Sequence, residues 1–128
     1  MLYSIVSIFA GASVGALLRW MLGLAFNSVF PAMPLGTLAA NLLGGYIIGI
    51  AVSVFAVSPA MGERWGLLVI TGFLGSLTTF SSFTYEVASL IQKKQVWAAG
   101  GVVAVHVLGS LAMCFLGMAT FSLFRRSG

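Results

Sequence analysis

Four long apolar runs separated by short polar breaks constrain this chain more than any other feature. They cover about 2–26, 35–57, 65–91 and 96–124. Each exceeds the roughly 20 residues that a helix needs to cross a hydrocarbon core of about 30 Å. Pro31 and Pro34 punctuate the first break, Ser58, Pro59, Glu63 and Arg64 the second, and Gln92-Lys93-Lys94-Gln95 the third. The expectation is a single all-α integral membrane domain over 1–128, with four transmembrane helices and no separate extramembrane domain. The apolar N-terminal run lacks the basic start of a cleaved signal and is expected to be kept as a span. Charged residues are 6% of the chain, against about 25% in a soluble domain. That is too little charge to coat a water-soluble monomer, and the hydrophobicity is too high for disorder.

The few charges carry a second message. The basic residues are Arg19, Arg64, Lys93, Lys94, Arg125 and Arg126. They form no basic stripe with interleaved aromatics, so nucleic acid is not a partner. A single cysteine, Cys114, cannot make an intrachain disulfide. With four spans, Arg64, Arg125 and Arg126 share one side of the bilayer, and Lys93 and Lys94 share the other. Arg19 is expected to snorkel to that second side. The positive-inside rule needs an imbalance to orient a protein, and this tally has none. Insertion in both orientations, with antiparallel pairing, follows from the balance. The alternative is one orientation set by the N-terminal amine or the insertion machinery.

The third run concentrates polar chemistry. Between Thr71 and Glu86, seven residues carry a Ser or Thr hydroxyl, and Gly72 and Gly75 precede the densest part. Glycine lowers the cost of a helix break, and hydroxyls satisfy the backbone groups that a break frees. The third helix is therefore expected to break near its middle, beside protein or an aqueous cavity. Silent back-bonding of the hydroxyls within an unbroken helix is the competing reading. Asn41 offers two amide donors in the second run. His106, Ser110 and Cys114 fall at four-residue spacing on one face of the fourth. Phe80 and Phe83, three residues apart, share a face, and an aromatic edge is electropositive. Hydroxyls, an amide and ring edges suit a small anion that must bind and then leave. No catalytic constellation is visible, so the chain is not read as an enzyme. The GxxxG pairs Gly11/Gly15 and Gly45/Gly49 predict close helix packing within the subunit, with a subunit interface as the alternative.

Two strings resemble the Fluc/CrcB fluoride channel family: Gly36-Thr37-Leu38 with Asn41-Leu42-Leu43-Gly44-Gly45, and Gly72-Phe73-Leu74-Gly75-Ser76-Leu77-Thr78-Thr79-Phe80-Ser81-Ser82-Phe83. The resemblance covers all four spans. It implies an antiparallel, dual-topology homodimer in the bacterial inner membrane that passively exports fluoride to limit its toxicity. It implies a structural sodium ion at the dimer centre, held by the backbone carbonyls of Gly75 and Thr78. It maps a fluoride pore onto Asn41, Thr79, Phe80, Ser81, Phe83, His106 and Ser110, with Cys114 further along the same track. Arg19, Thr37 and Glu86 would take vestibule or structural positions. A proton-coupled exporter of the small multidrug type has a similar size and topology, but such proteins depend on a glutamate in the first span, and this one has no acid there.

Overall fold

The structure, a computed structural model, describes all 128 residues and is entirely helical. Helix α1 spans Leu2–Phe26 and α2 spans Leu35–Val57. The third span is composite: α3 (Pro59–Gly66), a π-helical stretch (Leu67–Leu74), a short turn α4 (Gly75–Leu77), and α5 (Phe80–Gln92). Helix α6 spans Val96–Ser127. Four helical stretches are long and apolar enough to cross a membrane: Leu2–Phe26, Leu35–Val57, Pro59–Gln92 and Val96–Ser127.

The first two spans end where the sequence places them. The third begins earlier than 65, because Pro59 starts a helix instead of ending in a loop. Proline suits the first helical position, where its missing N–H would have had no partner. Glu63 and Arg64 therefore sit on helix. The fourth helix continues past 124, carrying Arg125 and Arg126 in its last turn, where cations offset the negative helix end. Between α5 and α6, Lys94 takes a left-handed conformation (φ 61°). Its N–H bonds the Ile91 carbonyl at 2.9 Å, and the Gln95 N–H bonds the Leu90 carbonyl at 2.9 Å, closing the helix end.

Glycine sets the packing. A methyl on Gly11 would strike the Leu68 carbonyl, and one on Gly15 would strike the Phe73 carbonyl and the Ser76 hydroxyl. These two glycines thus lay α1 against the π-helical stretch and α4. Gly45 meets the Ser110 backbone, Gly49 the Cys114 carbonyl, and Gly117 the Tyr46 carbonyl. The ascending order of these contacts runs α2 and α6 side by side in the same direction. Both GxxxG pairs therefore serve packing inside the subunit, where lipid offers no hydrophobic drive and close approach must supply the attraction. The exterior is the inverse of a soluble protein: only 18 residues are buried, while Phe9, Trp20, Phe115 and Phe124 stand exposed.

A candidate anion site at the break in the third span

The helix breaks at two residues. Thr78 (φ −80°, ψ 152°) and Thr79 (φ −144°, ψ 114°) are extended between α4 and α5. A break at membrane depth frees backbone groups that must find partners. Thr78 keeps its N–H on the Leu74 carbonyl at 3.1 Å, and its hydroxyl bonds the same carbonyl at 2.9 Å. Thr79 is held by Asn41: its N–H donates to Asn41 Oδ1 at 2.8 Å, and its carbonyl accepts from Asn41 Nδ2 at 3.2 Å. The Thr79 hydroxyl caps α5 by accepting from the Ser82 N–H at 3.1 Å. Gly44 lets α2 come this close, since a methyl there would strike the Thr78 side chain. The Thr78 carbonyl, in the extended segment, receives no such bond, while Gly75 opens the turn α4 with helical angles (φ −62°, ψ −30°). Unwound carbonyls such as that of Thr78 coordinate sodium in other membrane proteins, so this carbonyl suits a sodium ion.

On one side of the break lies an open groove of about 470 Å³, whose lining includes Asn41, Thr79, Phe80, Phe83, His106 and Ser110. The rings of Phe80 and Phe83 have centroids 5.5 Å apart at 54°. Phe83 is buried and tilted against the His106 ring at 4.8 Å. Phe80 is 78% exposed, so it faces outward from the protomer. Asn41 Nδ2 also lies 3.1 Å from His106 Nδ1. His106 Nε2 faces Glu86 Oε2 at 3.9 Å, too far for a hydrogen bond, and both atoms are buried without a partner. On the other side of the break is a polar hollow of about 300 Å³, lined in part by Arg19, Asn27, Thr37, Thr79 and Ser82. Thr79 belongs to both cavities.

Several sequence expectations are refined here. Asn41 has its oxygen and its amide nitrogen engaged with Thr79 and His106, where a free donor was expected. Arg19 does not snorkel outward; its Nε donates to the Ser76 carbonyl at 3.0 Å, near the break. Cys114 stays out of the groove, its carbonyl pressed against Gly49, so the polar track ends at Ser110. Ser81 is exposed, with its hydroxyl 3.2 Å from that of Thr79. Thr37 is buried, and its N–H donates to Asn27 Oδ1 at 3.1 Å, which satisfies one free donor in the first turn of α2. Glu86, toward the end of its span, lies outside the groove lining and faces the far side of the His106 ring at 3.9 Å. Asn27 and Ser82, which line the polar hollow, are not among the site residues expected from the sequence. The polar break after α1 hinted at the first, and the hydroxyl run at the second.

The broken helix, the paired rings and the Asn41 clamp lie within a segment matched by one family model. Residues 6–118 fit the model described as CrcB-like protein, Camphor Resistance. The chain belongs to the CrcB family. A relative from Tolumonas auensis is 61% identical over 99% of this chain and 100% of its own length. Relatives from Desulfovibrio desulfuricans and Chromobacterium violaceum are each 55% identical, over 98% and 96% of the chain and 97% and 98% of their own lengths. Each of the three bears the name fluoride-specific ion channel FluC. CrcB membership and the four apolar spans make this chain a multi-pass protein of the bacterial inner membrane.

Proposed function

We propose that this CrcB-family chain is a fluoride-selective channel that lets fluoride leave the cytoplasm passively and so limits its toxicity. The observation that carries the reading is the ring pair, Phe80 and Phe83, set in a groove with uncharged donors beside a helix break that Asn41 clamps at Thr79. Fluoride is small and accepts hydrogen bonds strongly. Ring edges and hydroxyls replace its water without a fixed charge that would trap it. Ser110 extends the groove from His106, and Thr79 lines it with Phe80. On the other side of Thr79, the Arg19 guanidinium with Thr37 and Ser82 offers an electropositive antechamber.

The working unit is an antiparallel homodimer. One protomer leaves Phe80 exposed and Gly75 open, so its groove lacks an outer wall that a second copy would supply. The balance of basic residues permits the two copies to insert in opposite orientations. Sodium at the centre would be held by the Gly75 and Thr78 carbonyls of both copies. It would fix the two breaks against each other and supply a positive field near the anion path.

Liposomes loaded with potassium fluoride and carrying the purified protein alone test this reading. A fluoride electrode should record efflux when valinomycin releases potassium, with no need for a proton gradient. Efflux that requires an imposed proton gradient would instead identify a coupled exporter.

A further inference from the structure

Asn41 can be oriented without ambiguity. The Thr79 N–H, 2.8 Å away, needs an acceptor, so that atom is the amide oxygen. The other amide atom is then the NH₂, which donates to the Thr79 carbonyl at 3.2 Å and faces His106 Nδ1 at 3.1 Å. A donor aimed at Nδ1 requires that nitrogen to be bare. The ring proton of neutral His106 must therefore sit on Nε2, because the partner of one nitrogen fixes the state of the other. That proton points toward Glu86 Oε2 across 3.9 Å.

We propose that His106 is a positioning residue: as the Nε2–H tautomer it accepts from Asn41 and thereby holds the amide in the orientation that clamps the broken helix at Thr79. The inference rests on the channel reading only for its effect on flux. The hydrogen bonds run from the Thr79 backbone through Asn41 to the His106 ring, which faces Glu86 without bonding it, and so bring α5, α2 and α6 together. Without the acceptor at Nδ1, an Asn41 N–H loses its partner inside the protein, and the flipped amide would set its NH₂ against the Thr79 N–H. Phe83 closes one face of the ring, and Glu86 is the charged group facing it.

The chain has one histidine, so the tautomer can be read directly. Protein labelled with ¹⁵N-histidine, in lipid and without fluoride, should show a protonated Nε2 and a bare Nδ1. Asn41→Asp replaces the NH₂ donor with an acceptor while still accepting from the Thr79 N–H, so it should move the proton to Nδ1. If Asn41→Asp does not fold, the wild-type spectrum decides alone. A wild-type ring protonated on Nδ1, or an equal mixture, overturns the proposal, as does a folded Asn41→Asp with an unchanged ring. Fluoride flux gives an independent readout. His106→Asn keeps an acceptor, its Oδ1, where Nδ1 faces Asn41 and should stay within about threefold of wild type, whereas His106→Leu should fall by about tenfold, as for one unmatched buried donor. Equal flux in the two variants would contradict the positioning role. Absence of fluoride flux from the wild type would remove the channel reading and leave the tautomer result standing.

Discussion

Helices α2 and α6 meet twice, and the two meetings use opposite chemistry. Along Gly45, Gly49 and Gly117, each glycine lies directly on the partner helix's backbone, with no room for a methyl. At Asn41 and His106, the same pair holds polar side chains that reach across to α5. The glycine seam fixes the distance between the helices. The polar end uses that distance to satisfy a break that would otherwise leave backbone groups bare in the membrane. Rigidity and function are thus separated along one helix pair, and substitutions in the two regions should fail in different ways.

The largest effect is expected in the seam. Gly49→Val would drive a branched side chain into the Cys114 carbonyl and the Met118 N–H, which are backbone and cannot turn aside. Overpacking typically costs about 1–3 kcal/mol even where side chains can yield. Gel filtration in detergent should show aggregated or missing protein; a normal monodisperse peak would mean that the glycine seam does not set the helix spacing. Next comes the polar end. Asn41→Ala strips the Thr79 N–H and carbonyl of their partners, at about 1–3 kcal/mol for each buried group left unmatched. The helices should still pack through their glycines, so the protein should purify normally while fluoride efflux falls by about tenfold or more. Normal efflux would mean that the clamp is not needed for conduction. The smallest effect belongs to Tyr46→Phe, which deletes a 3.0 Å bond to the Thr120 hydroxyl, away from the groove. A bond of this kind between membrane helices averages about 0.6 kcal/mol. Thermal denaturation should shift slightly, with efflux unchanged.

The sequence made the spans legible because apolar length is a local property. Boundaries at 26, 35 and 57 emerge from proline and polar punctuation alone. Pro59 misled because proline both ends and begins helices, and only the non-helical Ser58 (φ −137°, ψ 81°) before it decides which. Gly72, Gly75 and the hydroxyls announced a broken third helix. They did not announce the π-helical register of Leu67–Leu74, which answers to packing against Gly11 and Gly15 on α1. Asn41, His106 and Glu86 were each visible as polar residues inside a span. Their mutual contacts were not, because they bring together residues 41, 79, 86 and 106 from three helices. Arg19 shows the same limit: its nearest satisfied partner is a carbonyl 57 residues away, which a snorkelling rule cannot anticipate.

The role proposed for the paired rings beside the clamped break is to carry fluoride selectively. The most direct test loads the same liposomes with potassium fluoride and potassium chloride, opens a potassium path with valinomycin, and follows both anions by electrode for wild type and Phe83→Ile. Wild type should release fluoride and retain chloride, and Phe83→Ile, still folded, should release neither. Equal release of both anions by the wild type, or undiminished fluoride efflux from Phe83→Ile, would contradict that role.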